Sequence, residues 1–435
     1  MSHRKGISLP IIPGLPASTK QLHVVLLNQA FHPDVVATAQ MGKDLAEALV
    51  ARGHRVSAIA SRSIYGQKGA SLPKRESIPV PGGTVEVYRV GMSLFGKAGI
   101  AARIADFAFF YLLALGRLLL IPRPDVVVSY TTPPFIGLAG ILCRWVRGSR
   151  AVCWVMDLYP DLPVACGVMR AGALPTRLFE RVNRFILRRS DRDVVLGRCM
   201  RDRVLSQGTP PERVRFISVW ADLGGVEPVP HEGNPYRARW APKGELVVMY
   251  SGNFGLGHDA QTIIDAMRLL KGDAGIHFVF IGGGKRRAEV EAAVREHALT
   301  NVVYEDYVPR EELSRSLSAG DVHLISLKEG VEGIMVPSKM YGIMAVARPS
   351  LRFVPITMLL AMGLVTLKAR APSHAKPLPV TASPRVPIAE PVQAVAASPV
   401  QPWQPPAPRV VPQAEDPIAR LVREGVVPRK ASHAP

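Results

Sequence analysis

Apolar runs typical of buried strands alternate with amphipathic helical segments along most of the chain, and the alternation occurs in two consecutive series. The first series opens with the strand-like run QLHVVLLN (21–28), a helical pattern at 36–54 and a second strand-like run at 55–61. Continuously apolar strands are typical of parallel sheets that helices cover on both faces. Their order implies right-handed crossovers and therefore a doubly wound α/β fold.

The second series begins after a polar, proline-containing stretch that we interpret as an interdomain linker (223–244). The sequence therefore predicts two Rossmann-like domains, at 21–222 and 245–350, which follow an N-terminal extension (1–20). Open α/β sheets bind ligands at the carboxyl ends of their strands. We expect the two sheets to place these ends around a common cleft.

The sequence changes character after residue 350. The segment 351–367 is apolar, but it is a little shorter than the roughly 20 residues that a transmembrane helix needs. Its first residues, LRFVP, could supply a fifth strand to the second sheet. From 368 to 435 the chain is rich in Pro, Ala and Val, a composition that cannot bury a core, so we expect a disordered tail.

The chain is strongly basic, with 54 Lys and Arg against 35 Asp and Glu and a formal charge of +19. Such a surplus favours an anionic partner: nucleic acid, an acidic membrane surface or a phosphate-bearing small molecule. Nucleic acid is the least attractive of these, because no aromatic residues alternate with the basic ones. The four cysteines have no C-x-x-C spacing, so we expect reduced thiols and no metal site.

Three strand–helix junctions of the second series are rich in glycine and basic residues: YSGNFGLGHD (250–259), FIGGGKRRAEV (280–290) and EGVEGIMVPSKMYGIMAVARPS (329–350). Glycine lets the backbone approach a phosphate, and the free N–H groups at a helix start favour an anion. The first junction alone is equally explained by a tight turn, and a solvated charged face explains Arg286 and Arg287 of the second somewhat better than an anion does. Together the three junctions predict a cradle for a nucleoside diphosphate.

These three segments, with YEDYVPREEL, resemble the donor-binding domain of family 4 glycosyltransferases, which have the GT-B fold. The first series carries the segments LNQAFHPDVVATAQMGKDLAEALVARGHRVSAIAS, YTTPPFIGLAGIL and WVMDLYPDLPVACGV. They resemble the acceptor domain of the branch that builds bacterial surface polysaccharides. The resemblance extends over roughly residues 21–349. A domain of this type normally continues with further strand–helix units, so the resemblance implies a truncated or fused second domain.

The resemblance implies a retaining transferase that moves a sugar from a nucleotide-sugar donor to a lipid-linked or polysaccharide acceptor. It also implies a cytoplasmic location, peripheral to the inner face of the plasma membrane, and no cofactor besides the donor substrate. Two alternatives remain open: a catalytically inactive remnant that binds nucleotide or a partner protein, and a nucleotide-sugar epimerase of the same fold.

Residue by residue, the resemblance places the donor diphosphate at the three junctions. Many relatives carry Glu at the two positions that hold Ile334 and Gly342 here, so Glu332 is the available carboxylate. Where many relatives carry a His-Asp pair, this sequence has Met156 and Asp157. Asp157 is predicted to orient the sugar or the acceptor, and a role as a loop or cap residue is an equal alternative. The predicted donor contacts are Gly252, Asn253, Gly255, His258, Lys285, Tyr307, Ser338 and Lys339.

Two helical segments of the first series are candidates for membrane contact. FAFFYLLALGRLLLI (107–121) is too short to span a bilayer and predicts a buried or interfacial helix. A second segment places Arg177, Arg181, Arg184 and Arg188 on one helix face. This stripe is either a solvated polar face or a docking site for anionic lipid.

Overall fold

The computed structural model of the chain describes residues 20–34, 36–64, 71–91, 100–220 and 226–353. Side chains are not described at 100–104 or at 352 and 353. Most of the N-terminal extension, the apolar segment beyond Phe353 and the tail interpreted as disordered lie outside the described residues.

The first half is built on an eight-stranded sheet in the order β3-β4-β2-β1-β5-β6-β7-β8. Every strand pair is parallel except the hairpin of β3 and β4 at one edge. The strands are β1 (His23–Leu27), β2 (Arg55–Ser61), β3 (Arg75–Val80), β4 (Gly83–Val90), β5 (Val126–Ser129), β6 (Arg150–Val155), β7 (Arg192–Val195) and β8 (Val214–Phe216). The helices are α1 (Ala37–Ala51), α2 (Ile100–Leu120), α3 (Gly137–Arg147), α4 (Asp161–Ala165), α5 (Leu174–Arg189) and α6 (Arg198–Ser206).

The second half contains a parallel five-stranded sheet in the order β11-β10-β9-β12-β13. Its strands are β9 (Leu246–Ser251), β10 (Ile276–Ile281), β11 (Val302–Glu305), β12 (Val322–Ser326) and β13 (Ser350–Phe353). Its helices are α7 (Pro235–Trp240), α8 (Gln261–Leu269), α9 (Arg287–Glu296), α10 (Leu313–Ser318) and α11 (Lys339–Ala345). The predicted pair of doubly wound α/β units is confirmed, and the LRF of LRFVP lies in the predicted fifth strand, β13.

Two parts of the fold differ from the sequence interpretation. The β3–β4 hairpin was not predicted, because β3 (Arg75–Val80) is an edge strand with alternating exposure and no apolar run. The stretch interpreted as a linker contains α7, whose first turn is capped by the side chain of Asn234. Trp240 at the end of α7 is fully buried in the core of the second half. The domain boundaries themselves stay predictions.

The loop 329–336 joins the two halves. Val331 and Ile334 belong to the hydrophobic core of the first half, although they follow a strand of the second. The backbone N–H of Leu158 donates to the carbonyl of Ile334 over 2.9 Å. The Nε of Arg203 in α6 donates to the Glu332 carbonyl over 2.9 Å. The third junction therefore positions its helix by anchoring in the first half.

Asp193, in the middle of β7, should destabilise the protein at neutral pH. It is fully buried, and neither carboxylate oxygen meets a donor in good hydrogen-bond geometry. Burial raises its pKa well above 3.8, although the nearby Ser190 hydroxyl and the charge of Arg213 act in the opposite direction. Because the folded state favours the protonated acid, stability is lost as pH rises above 3.8. We expect Asp193→Val to raise the free energy of unfolding at pH 7 by about 1–3 kcal/mol, measured by denaturant titration. A variant less stable than wild type at pH 7 would contradict this account.

Candidate functional site

Two of the glycine-rich junctions are interlocked by backbone hydrogen bonds at the carboxyl edge of the second sheet. The N–H of Gly252 donates to the Ile281 carbonyl over 2.9 Å, and the N–H of Phe254 donates to the Gly283 carbonyl over 2.7 Å. The N–H of Arg286 donates in turn to the Phe254 carbonyl over 3.0 Å. These three backbone hydrogen bonds tie the loop after β9 to the loop after β10, and we call the two loops together the floor of the site.

Gly284 shows why this floor requires glycine. Its φ is +127°, a conformation that L side chains rarely adopt. A Cβ atom at this position would lie only 2.5 Å from the backbone nitrogen of Phe254. The two loops can approach this closely only because no side chain separates them, so the glycine pattern has a structural reason beside any role in binding.

The third junction places Lys339, the first residue of α11, over this floor. Its Nζ lies 3.6 Å from the centroid of the Tyr250 ring and makes no hydrogen bond. The residue as a whole is partly exposed, but the Nζ is buried, and burial lowers the pKa of the ammonium well below 10.5. A Cβ built on Gly252 would lie 3.8 Å from the Lys339 Cε. The first and third junctions therefore meet at the Lys339 Nζ, and backbone hydrogen bonds tie the second junction to the first.

His258 is buried beside the same lysine and is neutral. Its Nδ1 donates to the carbonyl of Ser326 at the end of β12. Burial, with the positive charge of Lys339 as the second cause, lowers the pKa of His258 to about 3. His258 therefore contributes no positive charge near neutral pH. Its hydrogen bond attaches the first junction to the end of β12.

The other predicted donor contacts lie around this centre with different exposure. Asn253 and Lys285 are exposed, and Tyr307 is 52% exposed with its ring against Gly282. Ser338 precedes α11, and its hydroxyl makes no capping hydrogen bond. The structure thus brings the first and third junctions together at Lys339 and leaves Lys285 at the surface.

The two arginines that follow Lys285 have structural partners. Arg286 pairs with Glu289 over 2.9 Å, and Arg287 pairs with Glu291 over 2.8 Å. Protein carboxylates therefore already neutralise two of the three consecutive cations of the second junction.

Asp157 and Glu332, the two predicted carboxylates, differ in environment. Asp157 follows β6, where the Thr131 hydroxyl oxygen accepts its backbone N–H over 3.0 Å, and burial raises the pKa of its carboxyl to about 6. Glu332 has an exposed side chain, and its carbonyl accepts the hydrogen bond from Arg203. Burial of Asp157 therefore moves the titration of its carboxyl towards neutral pH. Glu332 holds the loop 329–336 against α6 through its backbone carbonyl.

Electrostatics connect the two halves near Asp157, in a way that sequence reasoning missed. Burial raises the pKa of the Cys166 thiol, the charges of Lys328 and Arg286 lower it, and the charge of Asp157 raises it. Lys328 and Arg286 belong to the second half and Asp157 to the first. Only the fold could reveal this grouping, because the residues are far apart in sequence.

A cavity of about 300 Å³ lies on the first-half side of the loop 329–336. It is lined by α4, α5 and α6, including Asp161, Glu180, Arg184 and Arg203. Arg184 pairs with Glu180 over 3.4 Å, and Arg203 approaches Asp161 at 3.9 Å, so the charges in its wall are balanced. In the described part of the chain, no cluster of three His, Cys, Asp or Glu side chains is placed to hold a metal ion.

Asp157 should make stability depend on pH. Its pKa is about 6 in the folded protein against 3.8 otherwise, so its stabilising contribution is complete below 3.8 and is lost as pH rises through about 6. Asp157→Asn cannot ionise and therefore does not lose this contribution. As pH rises from 3.8 to about 6, we expect the free energy of unfolding of the variant to increase relative to wild type by up to about 3 kcal/mol. Denaturant titrations at both pH values measure the difference, and a gap that does not change with pH would contradict it.

Comparison with known proteins agrees with this architecture. Residues 23–220 match the family described as the glycosyl transferase 4-like domain. This match covers most of the first half of the chain. Among curated relatives, the probable glycosyltransferase WbjE of Pseudomonas aeruginosa is 34% identical over 229 residues, 53% of this chain. That match covers 57% of WbjE, so the chain aligns with little more than half of this relative.

A longer match extends from the first half into the second half. The putative colanic acid biosynthesis glycosyl transferase WcaI of Escherichia coli K12 is 24% identical over 335 residues, 73% of this chain and 79% of WcaI. Anabaena HepE, solved in complex with UDP-glucose, superposes with a TM-score of 0.57 at 10% identity, over 80% of this chain and 90% of HepE. The chain therefore has the GT-B fold, and the resemblance drawn from its sequence is confirmed.

Proposed function

We propose that the protein is a retaining glycosyltransferase that moves a hexosyl group from a nucleotide-sugar donor to a lipid-linked or polysaccharide acceptor. The observation that carries the proposal is the buried ammonium of Lys339, which makes no hydrogen bond where the first and third strand–helix junctions meet. A buried cation without a counter-ion is costly, and an anionic ligand is the group that would offset the cost. HepE, of the same fold, binds UDP-glucose in its crystal structure.

The chemistry that this cradle suits is departure of a diphosphate. When the bond between the anomeric carbon and the diphosphate oxygen breaks, negative charge develops on the leaving group. A preorganised cation and backbone N–H groups stabilise that charge most strongly where water is excluded. Lys339 would regain its full charge beside the phosphates, because an opposite charge within a few ångströms raises the pKa of an ammonium.

The acceptor would enter from the first half, where Asp157 lies across from the donor loops. A partly ionised carboxyl with a pKa of about 6 can orient a sugar or acceptor hydroxyl. The match to WcaI, named for colanic acid biosynthesis, supports a surface-polysaccharide role. We place the reaction in the cytoplasm, at the inner face of the plasma membrane, where a lipid-linked acceptor would be presented.

One observation favours the inactive alternative. Ile334 and Gly342 occupy the places where many relatives carry Glu, and Ile334 is buried in the first-half core. A Cβ on Gly342 would already contact the Leu317 side chain at 3.4 Å. Neither position supplies a carboxylate in this chain, so only Glu332 and Asp157 remain for that role.

Turnover assays separate the alternatives. The purified full chain is incubated with UDP-, GDP- and ADP-sugars, with and without a lipid extract of bacterial membranes, and release of nucleoside diphosphate is measured. We expect one donor to be consumed, and only when acceptor is present. Nucleotide binding without turnover would indicate the inactive remnant, and an isomerised donor without acceptor would indicate an epimerase. If no nucleotide binds and no donor is consumed, the proposal is wrong.

A further inference from the structure

The outward side of α2 is apolar, although the inward side already supplies the core. Phe110, Ala114 and Leu118 point inward and are buried in the first-half core. On the opposite side Leu112 is 69% and Leu120 is 79% exposed. A surface helix of a soluble protein normally shows polar residues on its outer face. The exposed apolar face of α2 therefore indicates a site of interaction with another molecule or a membrane.

Two neighbouring helices continue the same apolar surface. α3 packs between α2 and α5. It exposes Trp145 by 54% and Val146 by 65%. The rings of Trp145 and Phe185 meet at 6.0 Å between centroids, which joins α3 to α5. The exposed apolar residues of these three helices are Phe109, Leu112, Leu113, Leu120, Leu138, Trp145, Val146, Leu174, Leu178 and Phe185, and we call them the three-helix surface.

Arginines surround the three-helix surface and hold its edge in place. Arg147 donates to three carbonyls at the end of α2, including that of Ile121 over 2.8 Å. Arg123 donates to the Gly148 carbonyl over 3.2 Å, and the Arg189 guanidinium lies 5.8 Å from the Phe185 ring centroid. Against these cations, the sequence of α2 holds one acid, α5 holds one and α3 holds none.

We propose that the three-helix surface docks on an anionic lipid bilayer, with its apolar side chains at the level of the headgroups and its arginines on the phosphates. Apolar residues, an exposed tryptophan and surrounding arginines are the features that bind such an interface. A second copy of the chain fits less well, because two arginine-rich rims would repel each other. No described helix is both long and apolar enough to cross a membrane.

The arginines of the stripe on α5 have different environments. Arg184 pairs with Glu180 and lines the cavity, and Arg188 lies against Gly208 beyond α6. Arg181 instead follows Leu178 and precedes Phe185 on the apolar side of α5. The proposal rests on the peripheral location proposed above but not on transferase activity, so vesicle binding tests it separately.

Vesicle binding tests the proposal on the full chain. Phosphatidylcholine vesicles with and without phosphatidylglycerol are sedimented with the protein at low salt. We expect binding that requires phosphatidylglycerol, and Leu112→Ser combined with Leu120→Ser should weaken it by about tenfold or more. Arg181→Glu combined with Arg189→Glu should weaken it by about tenfold and salt should reproduce that loss. Leu269→Ser, a 67% exposed leucine on α8, is the matched control and should bind as wild type does.

A second readout identifies the bound face. Brominated phosphatidylglycerol should quench the tryptophan fluorescence of wild type and should quench Trp145→Phe much less. Three results would overturn the proposal: no binding of wild type at low salt, binding unchanged in the double leucine variant, or a dimer that this variant converts to a monomer. The last result would make the surface an interface between copies of the chain.

Discussion

Replacing Lys339 by methionine should weaken the binding of a nucleoside diphosphate by about 1.5–3 kcal/mol, the scale of a charge-assisted hydrogen bond. The loss corresponds to a factor of about 10 to 150 in affinity. Methionine keeps an apolar stem against Tyr250 and removes the ammonium. Isothermal titration calorimetry with UDP, GDP and ADP measures the effect, and Lys271→Met, an exposed lysine after α8, serves as the control.

The same substitution should stabilise the protein in the absence of nucleotide. The Lys339 ammonium is buried without a hydrogen bond, and burial outweighs its contact with the Tyr250 ring, so wild type bears a desolvation cost that an anionic ligand would offset. We expect nucleotide-free Lys339→Met to unfold with a free energy higher by about 1 kcal/mol or more. Weaker binding together with greater stability separates a binding role from simple structural damage. Unchanged affinity, or a less stable variant, would remove Lys339 from the proposed site.

Gly333→Ala should have the second large effect, because Gly333 lies where the loop 329–336 meets the first half. Its φ is +72°, and a Cβ would lie 2.9 Å from the carbonyl carbon of Cys199 in α6. The side chain would add backbone strain and push the loop away from α6. We expect a loss of about 2–5 kcal/mol in the free energy of unfolding, with weaker nucleotide binding because the displaced loop leads into α11.

Gly330 provides the matched control on the same loop. Its φ is +80°, close to that of Gly333, but a Cβ there would meet nothing within 4 Å. Gly330→Ala should therefore cost only the strain of the left-handed conformation, about 1–2 kcal/mol. Thermal and denaturant unfolding of both variants isolates the contact between loop and α6. Equal losses in the two variants would show that this contact contributes nothing to stability.

The sequence predicted most strands and all three glycine-rich junctions, because buried parallel strands and βα turns have strong local patterns. It could not rank the cations of the junctions. Lys285 and Lys339 have similar sequence contexts, yet one is exposed and the other has a buried ammonium, and this difference depends on the packing of α11 over Tyr250. Tertiary contacts of this kind leave no local pattern.

The loop 329–336 marks the other limit of sequence reasoning. The resemblance made Glu332 the available carboxylate of this loop, which implies a role for its side chain. In the structure Val331 and Ile334 anchor the loop in the core of the opposite half, and the backbone of Glu332 accepts the bond from Arg203. Apolar residues inside a loop give no indication of which distant surface they will cover, so this role appears only in three dimensions.

The central claim is that three junctions hold a donor diphosphate around Lys339, and a crystal structure of the chain with UDP or GDP tests it most directly. The account predicts a phosphate oxygen about 2.7–2.9 Å from the Lys339 Nζ, the range of an ammonium–phosphate hydrogen bond, next to Gly252. It also predicts that the same position is empty in crystals of Lys339→Met grown with the same nucleotide. Phosphates bound away from α11, with the Lys339 ammonium still packed on Tyr250 and unpartnered, would contradict the account.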